Sequence, residues 1–248
     1  MRLKNKVAVV TGGAQGIGRA LALGLAREGA SVVVADLQAE KAQAVAREIQ
    51  TLGAEALGVE TDVSKEESVQ NLAKQALERF HQVDILVNDA GIFPQARVAD
   101  MTEENWDRVI DVNLGGNFLC CRAFVPSMRA RKSGRIVSVA SGIAHTGAAA
   151  GAHYAASKAG ILGFIKALAR ELGPDGITAN AICPSIIDTA LPRGHRSDAE
   201  MRERLLRNPL GHIMKPEDLV GTVLFLASDS AGYITGQAVN VNCGAVMI

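Results

Sequence analysis

Short apolar runs alternate with longer amphipathic segments along the whole chain. Apolar runs of about four to eight residues between turn-forming residues are typical of buried strands, and apolar residues repeating every three or four positions indicate helices. Helices are predicted over residues 17–27, over 39–52 and from about 64 onward. The predicted strands lie at residues 7–10, 32–35, 56–59, 85–87, 136–139, 178–182 and 238–241.

Strands that are apolar throughout and separated by helices predict a parallel sheet covered on both faces. No linker, charge run or internal repeat divides the 248 residues. We therefore expect an α/β fold, one doubly wound domain over residues 1–248 with a mostly parallel sheet flanked by helices. Ser64 followed by Glu67 predicts a capping box at the third helix. Segment 185–210 interrupts the alternation of strands and helices, and it forms either a surface loop or a lid over the ligand crevice.

Composition narrows the classes of partner. The 26 Lys and Arg residues balance 26 Asp and Glu residues, so the formal net charge is zero, and only 4% of residues are aromatic. Nucleic-acid-binding proteins and proteins that bind anionic lipid usually carry a basic excess. We expect neither a nucleic acid nor a membrane partner. Without a signal-peptide core or an apolar run of membrane-spanning length, a cytoplasmic protein is predicted.

The cysteines and histidines show no pattern typical of a metal site. Cys120, Cys121, Cys183 and Cys243 form no CxxC pair, and the five histidines have no ligand spacing. We interpret the cysteines as small buried apolar residues in a reducing compartment, and we expect no metal.

A glycine-rich turn follows the first predicted strand. The sequence TGGAQGIG runs from Thr11 to Gly18 and opens directly into a helix, where free N–H groups can bind a pyrophosphate. Asp36 closes the second strand, eighteen residues after Gly18. A carboxylate there can accept both hydroxyls of an adenosine ribose and would repel a 2′-phosphate. Because neither Gln15 nor Leu37 supplies a compensating positive charge, NAD is predicted rather than NADP.

Polar residues also follow the third and fourth strands. Asp62 could accept a hydrogen bond from an adenine amino group while Val63 packs near the ring, but either residue could equally form a turn or a helix cap. The sequence NDAG, from Asn88 to Gly91, ends the fourth strand. In this architecture ligands bind at the carboxyl ends of the strands.

Candidate acid–base chemistry lies in the second half of the chain. Tyr154 and Lys158 are four residues apart in a predicted helix and therefore share one face. A nearby ammonium, helped by a positive nicotinamide, favours the phenolate and should lower the tyrosine pKa. Ser141 follows the fifth strand and could bind a substrate oxygen.

Taken together, these motifs resemble the classical short-chain dehydrogenase/reductase family, from Lys6 to the C-terminus. The resemblance implies a Rossmann-type fold and a homodimer or homotetramer built from helices around residues 106–129 and 154–172. It rests on TGGAQGIG, NDAG and YAASK (Tyr154 to Lys158), and on Asp36, Asp62, Val63, Asn113, Ser141, Pro184 and Thr189.

The resemblance also implies roles for these residues. Tyr154 would be the general acid/base, Ser141 would position the substrate oxygen, Lys158 would bind the nicotinamide ribose and lower the tyrosine pKa, and Asn113 would hold a water of the proton relay. Asn88 would lie beside the cofactor, and Ile187 and Thr189 would contact the carboxamide. Hydride transfer would be direct, without a metal. The predicted cofactor-binding residues are Gly12, Gln15, Gly16, Ile17, Gly18, Asp36, Leu37, Asp62, Val63, Asn88, Tyr154, Lys158, Ile187 and Thr189.

The chain departs from the family pattern at three places. Asp89 stands where the family usually has a second asparagine that supports the central sheet; it keeps the acceptors and loses the amide donors. Ser185 replaces the usual glycine after Pro184, and the turn at Asn242 and Cys243 is also unusual. None of these departures falls on the four implied catalytic residues.

The segments expected to line a substrate pocket are mainly apolar: residues 92–94 and 142–145, His153, and Ile186 onward. They favour a neutral, hydrophobic secondary alcohol or ketone of small to medium size. We interpret His145 and His153 mainly as supporting residues. Arg193, His195 and Arg196 are either solvated loop charges or a site for an anionic group.

Two other functions stay open. The first is a 3-oxoacyl-[acyl-carrier-protein] reductase, an enzyme that generally uses NADPH, which Asp36 disfavours. Such an enzyme also binds its acidic carrier protein on basic residues. Arg129, Arg131 and Lys132 could form that basic surface, although Asp175 adds a negative charge near them. A non-catalytic NAD sensor or scaffold is disfavoured because such proteins commonly lose the tyrosine or the lysine. The apolar stripe of Tyr154, Ile161, Ile165 and Leu168 could form a subunit interface or pack on its own sheet.

Overall fold

The computed structural model describes residues 1–187, 199, 203, 208–212 and 214–248. Seven strands in this part of the chain form one sheet in which all six neighbouring pairs are parallel. The strands are β1 (Val7–Thr11), β2 (Ser31–Asp36), β3 (Ala56–Glu60), β4 (Ile85–Asn88), β5 (Gly134–Val139), β6 (Ile177–Pro184) and β7 (Ala238–Val241). Their order is β3-β2-β1-β4-β5-β6-β7, which confirms the predicted α/β doubly wound fold.

Helices connect the strands and cover both faces of the sheet. A π-helical turn, Asp111–Gly115, joins the fourth and fifth helices, and short 3₁₀ turns cover Val98–Asp100, Gly173–Asp175, Pro216–Leu219 and Asp229–Ala231. The α-helices are α1 (Gly16–Arg27), α2 (Ala39–Thr51), α3 (Glu66–Phe80), α4 (Glu103–Ile110), α5 (Gly116–Ala130), α6 (Ile143–Thr146), α7 (Ala152–Leu172) and α8 (Val220–Ala227).

The core consists of two apolar layers, one on each face of the sheet. In β1, Ala8 and Val10 pack on the face covered by α1, α2 and α8, while Val7 and Val9 pack on the face covered by α3, α5 and α7. Because successive side chains of a strand point to opposite faces, a strand covered on both sides needs apolar residues at every position. This is why the strands are continuous apolar runs in the sequence.

The strand order places a crevice at the centre of the sheet. The chain proceeds outward from β1 through β2 to β3 and then returns to β4 on the other side of β1. Connections that leave two neighbouring strands in opposite directions open a crevice beyond their carboxyl ends, and ligands bind there in this architecture. The crevice therefore lies where β1 and β4 end, at Thr11 and Asn88.

The predicted capping box at Ser64 is wrong. Helix α3 begins at Glu66, with Lys65 at the capping position and no side-chain cap. Instead, the Ser64 hydroxyl and N–H both donate to Asp62 Oδ1, at 2.7 and 2.9 Å. Because the Ser64 side chain is already bonded to Asp62 in this turn, it does not cap α3.

The apolar stripe of α7 packs within its own chain. Ile161, Ile165 and Leu168 belong to the apolar layer on the α7 face of the sheet, and Tyr154 is also buried. Of the two uses left open for this stripe, packing on its own sheet is therefore the one observed.

The four cysteines are free thiols. Cys120, Cys121 and Cys183 are buried, as predicted, but Cys243 is only half-buried. Burial raises the pKa of the three buried thiols. No described helix combines the length and the apolar character needed to cross a membrane. Most of segment 185–210 lies outside the described residues, and so do Thr189, Arg193, His195 and Arg196.

Candidate active site

A cavity of about 860 Å³ lies at the carboxyl edge of the sheet. At one end it reaches the turn between β1 and α1, and at the other it reaches Tyr154 and Lys158. Each of six strands contributes to its wall with a residue at or near its end: Gly12, Asp36, Thr61, Asp89, Ser141 and Pro184. The topology therefore brings the candidate cofactor turn and the candidate acid–base residues to one space.

The turn between β1 and α1 is built by close backbone packing. Gly12 has a φ of +67°, and a Cβ there would lie 2.9 Å from Ala90 Cα. A Cβ on Gly18 would lie 2.2 Å from the Gly12 carbonyl oxygen, well inside contact distance. Gln15 precedes α1 and does not cap it with its side chain. The start of α1 is therefore a backbone cradle of the kind that binds a pyrophosphate.

Asp36 ties this turn to the end of β2. Its carboxylate is buried and accepts hydrogen bonds from Ala14 N at 3.1 Å and from Gln38 N at 3.0 Å. Leu37, the next residue, is 66% exposed. Among the described residues of the cavity wall, the only cations are Arg108 and Lys158, and neither belongs to the β1–α1 turn or to the end of β2.

Asp62 and Val63 both line the cavity. Asp62 forms the turn before α3 described above, so its turn-forming role is observed. Val63 is buried against α5, where a Cβ on Gly116 would lie 2.8 Å from Val63 Cγ2.

Asn88 lies below the cavity wall rather than on it. Its buried side chain donates from Nδ2 to Cys121 Sγ at 3.6 Å. The wall at the end of β4 consists instead of the next three residues, from Asp89 to Gly91. The Thr11 hydroxyl accepts the N–H groups of Asp89 and Ala90 at 3.2 and 3.3 Å, which fixes the end of β4 to the end of β1.

Asn113 holds the loop that follows β4. It lies in the π-helical turn and is fully buried. Its Oδ1 accepts from Ile92 N at 2.8 Å, and its Nδ2 donates to Ile92 O at 3.0 Å and to Ser157 Oγ at 3.1 Å. Ile92 lines the cavity and Asn113 does not. The amide of Asn113 therefore shapes the cavity through the Ile92 backbone; π-helical turns often occur at functional sites.

Tyr154, Ser141 and Lys158 meet where β5 ends against the first turns of α7. Lys158 Nζ donates to the Val139 carbonyl at 2.7 Å and lies 5.6 Å from the centre of the Tyr154 ring. The Phe93 ring stacks on Tyr154 with a centroid separation of 4.2 Å and an angle of 28°. All three predicted residues line the cavity and are buried.

Burial dominates the ionisation of these groups. It raises the pKa of Tyr154 to about 12; a hydrogen bond with Ser141 opposes the rise and the Asp89 charge adds to it. Burial also lowers the pKa of Lys158 to about 8, although the negative charge of Asp89 acts to raise it. In the protein chain by itself, burial therefore dominates the pKa of Tyr154; that Lys158, helped by a positive nicotinamide, lowers this pKa stays a prediction.

The wall near Tyr154 is mostly apolar. Of the segments predicted to line it, Ile92, Phe93, Gly142, Ile143, Ile186 and Ile187 do so. Pro94, Ala144, His145 and His153 are not part of the wall. His153 is fully buried, and its Nδ1 accepts from Tyr154 N at 2.9 Å. That contact fits the supporting role assigned to it.

Several residues of the wall belong to no sequence motif and were not predicted. Arg108 and Val112 are four residues apart and share one helix face, but neither is three or four residues from Asn113, so that residue gives no signal for them. Val246 approaches Gly142 from the C-terminal segment, a contact between distant parts of the chain that no local pattern signals. The wall residues that were not predicted are Gln38, Thr61, Ser64, Arg108, Val112, Val139, Ala140, Thr146, Gly147, Ala148, Ala149 and Val246.

The basic residues considered for carrier docking form ion pairs within the chain. Arg129 contacts Asp175 at 2.9 Å and Glu171 at 3.1 Å. Lys132 lies 3.8 Å from Asp175, and Arg131 lies 2.8 Å from Asp84. This surface therefore presents paired charges rather than an unneutralised basic patch.

Comparison with known proteins gives full-length matches. A family model described as Enoyl-(Acyl carrier protein) reductase matches residues 12–246. The chain is 40% identical over 244 residues to (2S)-[(R)-hydroxy(phenyl)methyl]succinyl-CoA dehydrogenase subunit BbsD of Thauera aromatica, covering 98% of this chain and 97% of that protein. It is 40% identical over 245 residues to 3-oxoacyl-[acyl-carrier-protein] reductase FabG of Staphylococcus epidermidis, covering 98% and 100%. The solved structure of gox2181 superposes with a TM-score of 0.94 at 39% identity, covering 98% and 96%.

Proposed function

Because the chain belongs to the classical short-chain dehydrogenase/reductase family of oxidoreductases, we propose that it interconverts an apolar secondary alcohol and its ketone with NAD(H). The observation that carries the proposal is the single cavity that joins the glycine turn and Asp36 to Ser141, Tyr154 and Lys158. Its apolar wall around Tyr154 fits a neutral substrate of small to medium size. The name of the Thauera relative specifies a hydroxy(phenyl)methyl group, a secondary alcohol beside an aromatic ring, carried on succinyl-CoA.

The residues present fit a dinucleotide. A side chain on Gly12 or Gly18 would fill the backbone cradle at the start of α1, and this cradle suits a pyrophosphate. Beside the cradle, Gln15, Ile17 and Leu37 line the cavity. Asp62 and Val63 would bind the adenine end, and Lys158 and Ile187 the nicotinamide end. When bound, NAD supplies the hydride acceptor and, in its oxidised form, a positive charge.

Asp36 supports NAD over NADP. Its carboxylate stands on the wall beside the glycine turn, where it would accept ribose hydroxyls and repel a 2′-phosphate. The neighbouring wall residues Gln15, Leu37 and Gln38 carry no positive charge.

Tyr154 would exchange a proton with the substrate oxygen, and Ser141 would hydrogen-bond the same oxygen. With its pKa raised to about 12, the phenol holds its proton at neutral pH and can act as the acid in ketone reduction. Alcohol oxidation needs the phenolate, which positive charge near the ring stabilises. Lys158, anchored on the Val139 carbonyl, supplies such a charge. Asn113 would act by holding Ile92, and its relay water stays a prediction from the family.

Tyr154→Phe tests this assignment. The variant should lose roughly 10²–10⁴-fold in turnover, the usual contribution of a positioned acid–base group, while NAD binding measured by calorimetry stays nearly unchanged. Tyr233→Phe is the matched control, because Tyr233 is fully exposed and outside the cavity wall. Turnover by Tyr154→Phe close to that of the control would refute the mechanism.

A 3-oxoacyl-[acyl-carrier-protein] reductase is the second candidate, supported by the relatives that carry this name at 40% identity. The ion-paired state of Arg129, Arg131 and Lys132 weighs against docking of an acidic carrier there.

A non-catalytic NAD sensor is the third candidate, and measurable turnover would eliminate it. From the family resemblance we also propose a homodimer or homotetramer, which analytical ultracentrifugation would test. The cytoplasmic location predicted from the sequence stays a prediction.

A further inference from the structure

The segment after β7 returns to the cavity and contributes one side chain to its wall. Strand β7 ends at Val241, and Val246 is half-buried and lines the cavity. A Cβ built on Gly142 would lie 3.2 Å from Val246 Cγ2, closer than an ordinary van der Waals contact. Because Gly142 directly follows Ser141, Val246 lies at the end of the cavity where the substrate oxygen would bind.

A turn built on the side chain of Asn242 holds Val246 in this place. Asn242 is 4% exposed, and its Nδ2 donates to the Val246 carbonyl at 3.1 Å. Its Oδ1 accepts from the Gly244 N–H at 3.0 Å, and its carbonyl accepts from the Ala245 N–H at 3.0 Å. One buried residue therefore fixes the backbone of Val246, which belongs to no strand or helix.

A second segment supports the same turn from outside. The Cys243 carbonyl accepts from the Leu210 N–H at 3.3 Å. Gly244 has a φ of +80°, which favours glycine, and a Cβ there would lie 3.0 Å from Pro209 Cγ. Movement of Val246 away from the cavity would break these contacts. The wall at this point is therefore held in place by contacts from both sides of the turn.

The chemistry of Val246 suits selection by size. Gly142 has no side chain, so the space beside it is bounded by the two methyl groups of Val246. A valine side chain has few rotamers and offers no hydrogen bond. It can therefore limit the bulk of an apolar group in the cavity but cannot recognise a polar one.

We propose that Val246 sets the size of the apolar group that the substrate carries next to its reacting carbon, and that Asn242 is the residue that positions Val246. The inference deepens the proposed function and rests on it for the class of substrate, a secondary alcohol or its ketone. A smaller side chain at this position admits a bulkier substrate, and a larger one excludes it.

A series of secondary alcohols that grow by one methylene at a time tests the role of Val246. Val246→Ala should raise kcat/KM for the larger alcohols, relative to the smallest, by roughly ten-fold, a usual effect of one methylene in an apolar pocket. Val246→Leu should lower the same ratio. Met247→Ala is the control, because Met247 is 78% exposed and outside the cavity wall. An unchanged ratio in Val246→Ala, or an equal shift in the control, would overturn the proposal.

The positioning role of Asn242 needs a readout that a general loss of stability would not move. Asn242→Asp keeps an oxygen acceptor for Gly244 N and loses the donor to the Val246 carbonyl. It should shift the size preference in the same direction as Val246→Ala. Combined with Val246→Ala, it should add little further shift, because residues that act through one contact are not additive. A fully additive shift would refute the positioning role.

Binding of the corresponding ketones to the protein saturated with NAD separates this inference from the proposed function. Ketone and NAD are both oxidised, so no hydride passes between them and calorimetry measures binding alone. If the unsubstituted protein oxidises no alcohol but the Kd values follow the size of the side chain at position 246, the proposed function fails and the inference stands. If alcohols are oxidised but neither the kcat/KM ratio nor the Kd responds to that side chain, only the inference fails. Ketones that do not bind would also overturn it.

Discussion

At the scale of single residues, Asp36 serves two purposes with one carboxylate. It accepts the N–H groups of Ala14 and Gln38, which locks the glycine turn to β2, and it presents negative charge to the cavity. A ribose-binding role can therefore be tested only with a variant that preserves the turn. Ala14 N and Gln38 N bond to different oxygens of Asp36; asparagine removes the charge and keeps one of these two acceptors, so it disturbs the turn less than alanine does.

Asp36→Asn should narrow the preference for NAD over NADP by about ten-fold or more, since loss of a charge repulsion of about 1.4 kcal/mol corresponds to a factor of ten. The measurement is the ratio of kcat/KM for the two cofactors. Glu60→Gln is the matched control, because Glu60 pairs with Asp36 in the β2–β3 register but is exposed and absent from the cavity wall. An unchanged ratio in Asp36→Asn would show that Asp36 does not select the cofactor.

Sequence motifs located most of the wall residues because these lie at strand ends, where local pattern and topology agree. Gly12, Asp36, Ser141, Tyr154 and Lys158 all lie where they were predicted. The direction of the Tyr154 pKa could not be predicted in the same way. It depends on burial, which is produced by the whole fold and by Phe93 stacked on the ring, and not by the spacing of Tyr154 and Lys158.

At the scale of elements, the start of α1 depends on close approach of two backbone segments. Gly18 lies in the first turn of the helix, directly against the carbonyl of Gly12.

The strands and most helices were predicted within a few residues, because both faces of the sheet are buried and impose a strong pattern. The capping box of α3 was predicted wrongly, because Ser64 and Glu67 have the right spacing in sequence but the Ser64 side chain bonds to Asp62 instead.

Gly18→Ala should weaken both folding and dinucleotide binding. The added methyl would lie 2.2 Å from Gly12 O and 2.9 Å from Asp89 Oδ2, so the turn must shift. Overpacking of this kind costs about 1–3 kcal/mol in the free energy of unfolding. Urea unfolding and calorimetric titration with NAD would measure the two effects. Gly221→Ala, on α8 with open space around it, is the control and should leave NAD binding unchanged; equal behaviour of the two variants would refute a packed cradle at Gly18.

At the scale of the whole molecule, one parallel sheet brings six strand ends to a common cavity. The reversal of strand order beside β1 places the glycine turn and NDAG next to each other, although they are far apart in sequence. The sequence could predict this edge from the doubly wound pattern. It could not indicate Val246, which reaches the wall from the end of the chain, because contacts between distant segments leave no local signature.

The central claim is NAD-linked oxidation of apolar secondary alcohols, and its most direct test is the absorbance of the reduced nicotinamide. NAD and NADP would each be assayed against aliphatic, cyclic, aryl and polyol alcohols, with 3-oxoacyl thioesters in the reverse direction. We expect oxidation with NAD, faster for apolar alcohols than for polyols. Strong NADPH-linked reduction of the thioesters, with no alcohol oxidised, would contradict both the role of Asp36 and the apolar substrate.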